Sequence, residues 1–177
     1  MPAPPSIHRT LVLALGAALS VAGLAALDSA TKTPFLFPSL GATTFLLIAA
    51  PEREMSSTRN AFFGHLIGAA SGWLALWLCG VDGTRVALGS FDVAHILSAS
   101  LALGLTTFAL LRLRISHPPA GATTLIFGIG LLPHAWQVPM VGGSALLLAL
   151  EARLFHRLAG LSLPWWSAAP ERPDSGG

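Results

Sequence analysis

Apolar runs dominate the chain and come in two lengths. Four reach or approach the length of a bilayer crossing: Leu11 to Leu27, Ala61 to Val81, Val93 to Leu111, and a shorter one from Val138 to Leu150. The last can lengthen inward, because Glu151, Arg153 and Arg157 follow it and such side chains snorkel to an interface. Two further runs, Gly41 to Ala50 and Gly121 to Leu132, are much shorter. A full helical crossing needs about 20 residues at 1.5 Å each, so these two cover roughly half a hydrocarbon core. Each is approached by a proline-bearing loop. The pattern predicts six helical segments, two of them half-helices.

The two short runs open with the same word. Gly41-Ala42-Thr43-Thr44 and Gly121-Ala122-Thr123-Thr124 are identical at an offset of eighty, and prolines precede both (Pro38; Pro118 and Pro119). At this offset the first long run falls on the internal span from Phe91 to Thr107. The repeat therefore argues against reading Leu11 to Leu27 as a removable signal segment, although His8, Arg9 and the small residues near Ala26 have that character. The repeats run over about 11–81 and 91–158, within a transmembrane domain of about 11–158. Tails of disordered composition are expected over 1–10 and 159–177, with Trp165 and Trp166 at the interface.

Composition agrees with a membrane protein: 53% of residues are hydrophobic and only 10% charged, against roughly a quarter charged in soluble domains. The lone Cys79 sits in an apolar run and reads as packing, with no disulfide or metal role. No basic run with interleaved aromatics exists, so nucleic acid is not an expected partner. The arginines bear on topology. With six crossings and the N-terminus inside, Arg9, Arg53, Arg59, Arg112, Arg114, Arg153, Arg157 and Arg172 face the cytoplasm, and Lys32 and Arg85 face out. With re-entrant short segments and four crossings, the same residues split evenly. The positive-inside rule favours six crossings, both termini in the cytoplasm, and a cytoplasmic (inner) membrane location. Three crossings per repeat make the second repeat upside down relative to the first. The expected fold is an all-α polytopic transmembrane bundle of two inverted repeats, three segments each, with one short helix per repeat.

A helix N-terminus carries unpaired N–H groups and the positive end of the macrodipole, which suits a small anion. Both tetrapeptides, placed at half-helix starts, are therefore candidate substrate-binding residues: Gly41 and Gly121 for close backbone approach, Thr43, Thr44, Thr123 and Thr124 as neutral donors, with Ala42 and Ala122 between. Gly, Ala and Thr are equally the residues that let membrane helices pack closely, so a packing role stands as the alternative. Lys32 and Arg112 align at the same offset and serve either to draw anions to opposite mouths or as interfacial anchors. His117 precedes the prolines and can donate to an anion or take up a proton. His65 and His95 lie inside spans, where polar groups usually face the bundle interior; each either lines a pathway or bonds a neighbouring helix. His134 and His156 are expected to be solvated. Asn60 is placed to cap a helix beginning at Ala61, and Asp28, Asp82 and Asp92 look like loop or capping residues. There are no paired carboxylates, no nucleophile with a base and no metal-spaced ligands in the spans, so no enzyme, metal or cofactor is expected. No phosphate-binding loop of the glycine-lysine type appears either.

The stretch His117-Pro118-Pro119-Ala120-Gly121-Ala122-Thr123-Thr124 resembles the HPP family of integral membrane proteins, named for that tripeptide. Pro38-Ser39-Leu40-Gly41-Ala42, Arg59-Asn60 and Gly64-His65-Leu66-Ile67 are similar to the same pattern, and the likeness runs from about Leu11 to Leu158. Chloroplast and cyanobacterial members are associated with nitrite transport. The resemblance thus implies a transporter or channel for nitrite or a similar small monovalent anion. Members are usually described with four transmembrane helices, against the six counted here. A non-transporting membrane scaffold is the alternative, and a homo-oligomer is compatible with so small a bundle.

Overall fold

The computed structural model describes residues 6–81 and 91–161 together with Trp166. Arg85, Asp82, Trp165, Arg172 and most of both tails lie outside the described residues. Six α-helices and one short 3-10 turn make up the described chain: α1 (Ile7–Thr31), α2 (Pro38–Ala49), the turn Glu54–Ser56, α3 (Thr58–Leu78), α4 (Val93–Leu113), α5 (Pro119–Gly128) and α6 (Gln137–Leu158). The fold is an all-helical bundle. Four helices (α1, α3, α4 and α6) are long and apolar enough to cross a membrane. At 12 and 10 residues, α2 and α5 measure about 18 and 15 Å, the half-helices expected from the short runs.

Several helix starts differ from the sequence expectation. α1 starts at Ile7, capped by Ser6, so residues 7–10 are helix and not tail. α2 and α5 start at Pro38 and Pro119, three and two residues before their Gly-Ala-Thr-Thr. Proline is well suited to the first helical position, because the N–H it lacks is one the helix would leave unpaired anyway.

The offset of eighty persists in three dimensions. α3 ends at Cys79 with Gly80 left-handed (φ 66°), and α6 ends at Ala159 with Gly160 left-handed (φ 76°). The closing bonds correspond: Val81 N–H to Leu76 O, and Leu161 N–H to His156 O. Glycine occupies both turns because side chains rarely tolerate that conformation. The buried stripes also match, Ser39, Leu40, Thr43, Thr44 and Leu47 in α2 against Pro119, Ala120, Thr123, Thr124 and Phe127 in α5. Helix pairing follows the same rule. α1 packs on α2 and α6 as α4 packs on α5 and α3, α2 packs on α6 as α5 packs on α3, and α3–α6 and α2–α5 are the self-paired contacts.

Direction follows from which residues meet. A Cβ added at Gly64 or Gly68 would meet His117 Cβ at 2.8 Å or Ala120 O at 2.7 Å, so α5 runs parallel to α3. Thr106 bonds Thr124, and Gly128 lies against Ala99 and Ala102, so α4 runs antiparallel to α5. Ser39 meets Thr123 while Thr43 meets His117, so α2 and α5 are antiparallel. Gly23 lies beside Glu151 and Gly16 beside Phe155, so α1 and α6 are antiparallel. Thr10 shares a cleft with Ala49 and Leu161, so α1 starts where α2 and α6 end, and each helix reverses the one before it.

α3 buries eleven residues, and its Gly64, Gly68 and Gly72 form a small-residue stripe under α5. Gly68 admits no side chain there. The shared core joins Leu24, Leu40, Leu47, Phe127, Val141 and Leu148. α1 and α4 bury only three residues each, while Leu11, Leu15, Leu19, Phe108 and Leu111 are more than half exposed. Such an apolar exterior belongs against lipid chains.

Candidate functional site

Polar groups that the sequence scatters over α2, α3 and α5 meet in one buried cluster. His65, in the second turn of α3, lies about 10 Å along the helix from Thr58, and its ring is wholly buried. Its Nε2 is 2.6 Å from Thr43 Oγ1 and its Nδ1 is 2.6 Å from Thr123 Oγ1. A single imidazole thus bridges the first threonine of both tetrapeptides. Thr123 Oγ1 also meets Ser39 Oγ at 2.7 Å, and Thr43 donates to Ser39 O at 3.1 Å. His117 closes the other end. Its Nδ1–H donates to the Met55 carbonyl at 2.8 Å, its Nε2 lies 3.3 Å from Thr43 Oγ1, and its ring packs edge-on to His65 with centroids 4.9 Å apart. Asn60 ties the approaches together by donating to Glu54 O and Ser116 O.

The second threonines turn elsewhere. Thr44 donates to Leu40 O at 2.8 Å, and Thr124 to Ala120 O at 2.9 Å while also meeting Thr106 Oγ1 at 2.8 Å. Gly41, Ala42 and Ala122 are exposed on the outer face, and a side chain at Gly41 would meet nothing within 4 Å. Only the threonine half of each tetrapeptide points inward.

Several of the backbone donors expected to face an anion have carbonyl partners instead. At the start of α5, Pro118 and Pro119 have no N–H, the Ala120 N–H goes to His117 O and that of Gly121 to Pro118 O. At the start of α2, Pro38 has none and the Leu40 N–H goes to Phe37 O. The donors that converge are side chains: hydroxyls and imidazoles. A cleft of about 290 Å³ opens beside them between α4 and the start of α5, lined by Thr106, Thr107, Leu110, Ser116, His117 and Gly121 among others. A larger one of about 450 Å³, lined by Leu13, Ala17, Phe45, Ile48 and His156, is almost entirely apolar and lies between α1, α2 and α6.

The remaining candidates fall outside the cluster. His95 lies about 16 Å up α4 from Thr106, where its backbone N–H and Nδ1–H both donate to Asp92 Oδ1 at 3.0 and 2.6 Å. Those bonds hold the exposed Asp92 carboxyl below the usual carboxylate range, and Asp92 caps α4 as expected. Lys32 is an exposed left-handed cap of α1, and Arg112 is exposed in the last turn of α4. His156, expected to be solvated, is fully buried and donates through Nδ1 to Ala152 O; His134 is exposed. Asn60 does not cap α3. Ser57 does, its hydroxyl accepting from the Asn60 N–H. Among the described residues no group of three metal-ligating side chains exists. Ser39, Thr106 and the Met55 carbonyl were not singled out from sequence. Thr106, a polar residue inside an apolar span, gave a signal; a backbone carbonyl gives none.

The family model for the HPP transmembrane region matches residues 2–164. The chain belongs to the HPP family. Two transmembrane proteins of Dictyostelium discoideum are similar to it, one 30% identical over 143 residues (74% of this chain, 45% of that protein) and another 29% identical over 143 residues (76% and 43%). The chain spans less than half the length of these curated relatives. No solved structure matches it. The HPP tripeptide, His117-Pro118-Pro119, takes a definite place in this fold: its histidine joins the buried cluster and its prolines start α5.

Proposed function

We propose that this HPP-family membrane protein is a transporter or channel for a small monovalent anion, nitrite being the favoured substrate from the family resemblance. The observation that carries the reading is the cluster of Ser39, Thr43, His65, His117 and Thr123, buried where the two half-helices cross, with a cleft reaching His117. Polar groups inside a membrane domain are costly and mark pathways by default. Their hydroxyl and imidazole donors suit an oxyanion, and in the structure they bond one another.

Inverted repeats and six crossings are part of the proposal. The antiparallel run of the equivalent helices α2 and α5 supports inversion, and the reversal at every helix supports six passes. One end of the bundle gathers residues 6–10, 50–59, 114–118 and the end of α6, linked by bonds from Asn60 to Ser116 O and from the Arg59 N–H to Trp166 O. Arg9, Arg53, Arg59, Arg112, Arg114 and Arg157 lie toward it and Lys32 toward the other, which favours that end as cytoplasmic.

A second reading, a membrane scaffold, is favoured by the closure of Thr44 and Thr124 onto their own helices. Reconstituted liposomes separate the two. A transporter gives nitrite uptake above protein-free vesicles, reduced at least tenfold by Thr43→Val or Thr123→Val. Uptake unaltered by both substitutions refutes the site, and no uptake at all favours the scaffold.

A further inference from the structure

The cluster has more hydrogen bonds than its neutral side chains have protons to fill. Six contacts of hydrogen-bonding distance link it: Ser39 to Thr123, Thr123 to His65, His65 to Thr43, Thr43 to the Ser39 carbonyl, Thr43 to His117, and His117 to the Met55 carbonyl. Ser39, Thr43 and Thr123 bring one hydroxyl proton each, and each neutral imidazole brings one N–H.

The two carbonyls decide where those five protons go, because a carbonyl only accepts. His117 must donate through Nδ1 to Met55 O, and Thr43 must donate to Ser39 O. Thr43 Oγ1 then has only lone pairs left for its two imidazole neighbours, so both Nε2 atoms have to donate. For His65 this is possible in the neutral ring, with Nδ1 accepting from Thr123 and Thr123 accepting from Ser39. For His117 both ring nitrogens are then donors, and that is an imidazolium. With five protons one bond goes unmade. The His117–Thr43 contact is the longest of the six at 3.3 Å, as expected of the one left short.

We propose that the cluster is a binding site for one proton, taken at His117 Nε2 and shared with Thr43, and that this proton travels with the anion. Binding forms one N–H bond from the ring lone pair and breaks one O–H bond of the hydronium ion that delivers the proton, which leaves as water. The charge so created has no carboxylate bonded to it. Among the described residues α2 presents Ser39 and Thr43, α5 presents Thr123, and α4 lines the cleft beside His117 with the uncharged Thr106, Thr107 and Leu110. Glu54 and Arg59 connect through Asn60, by the Glu54 carbonyl and by Arg59 Nη1. On α6, Glu151 bonds Ser20 of α1. A buried cation without a counter-charge is unfavourable, and an anion in the cleft beside His117 supplies one. Proton and anion would then enter as a neutral pair. The co-transport part rests on the anion-transport reading; the proton site stands without it.

Two measurements separate these. In liposomes containing a pH dye, with the exterior at pH 7 and protein-free vesicles subtracting passive acid permeation, nitrite uptake should acidify the lumen by one proton per nitrite. His117→Gln should reduce that ratio at least tenfold. Nitrite uptake without acidification overturns the coupling and leaves the transport reading standing. Independently, 15N spectra of the histidines in detergent, titrated with and without nitrite, should show one ring of the pair becoming an imidazolium, more readily with nitrite. That signal should vanish in His117→Gln and shift in Thr43→Val. If neither His65 nor His117 gains a proton before the protein unfolds, the site is refuted, whether or not nitrite moves.

Discussion

Thr123→Val and Thr44→Val are the same chemical change in equivalent tetrapeptides, and their consequences should differ sharply. Valine keeps the volume and removes a hydroxyl. At 123 the hydroxyl oxygen lies 2.6 Å from His65 Nδ1 and 2.7 Å from Ser39 Oγ in a fully buried position, so its loss strands two polar groups. Each orphaned group costs about 1–3 kcal/mol. Polar contacts in membrane proteins fall toward the low end of such ranges, which gives a total of about 2–4 kcal/mol. At 44 the lost bond runs to Leu40 O in the same helix, an oxygen whose other lone pair serves the helix ladder. Back-bonding of this kind adds no stability, so the cost is under about 1 kcal/mol. Thermal unfolding in one detergent, at one scan rate, reads the contrast. At about 2–4 °C per kcal/mol, Thr123→Val should melt about 4–16 °C below wild type and Thr44→Val within about 4 °C. Equal losses at both positions would refute the assignment of inward and helix-bound roles to the two threonines.

Three further outcomes are expected. Gly68→Ala places a methyl 2.7 Å from Ala120 O and 2.9 Å from Thr124 Oγ1, so α5 must move; a loss of about 1–3 kcal/mol should appear by thermal unfolding, whereas Gly41→Ala, which meets nothing, should not show it. In a Cys79→Ala background, single cysteines at Arg9 and Arg114 should label from one face of the membrane and one at Lys32 from the other; Arg114 labelling from the same face as Lys32 would contradict six passes. The Asp92 carboxyl, held low by His95, contributes its cap fully above the unfolded value of about 4 and loses it as pH falls through the lower folded value. Asp92→Asn should keep the cap and abolish that acid-limb dependence of melting temperature.

The half-helices were legible because two independent signals coincide at each, a proline-led start and a run too short to cross. Their first residues were not, because the prolines looked like loop and in fact occupy the first helical turn. That shift of two or three residues moved the tetrapeptides off the helix ends, where the Leu40, Ala120 and Gly121 N–H groups bond to carbonyls. The inward stripe of α2 (39, 40, 43, 44, 47) is a regular helical pattern, so the outward turn of Gly41 and Ala42 was readable in principle. Sequence spacing did not distinguish His65 from His95, both polar within apolar spans. They differ in their neighbours: α3 is the central helix and offers His65 two hydroxyls, while the first turn of α4 offers His95 the carboxylate that caps it.

Two identical threonines served by one histidine are necessarily in unequal roles. Thr43 and Thr123 are equivalent at the offset of eighty, but the position equivalent to His65 is Ala145, itself buried. One ring therefore serves both threonines, and a neutral imidazole has a single N–H. Whichever threonine accepts that N–H, the other must donate to the remaining nitrogen, so two identical residues take opposite roles. Pseudo-symmetry alone would leave the two arrangements nearly equal in energy. His117 removes that balance, because its counterpart is Phe37, which has no polar atom in its side chain and packs in the core. Anchored to Met55 O, His117 puts a second imidazole beside Thr43 and none beside Thr123. The hydrogen-bond chain thus acquires a sense, Ser39 donating to Thr123, Thr123 to His65 and His65 to Thr43, which the repeated tetrapeptides by themselves do not have.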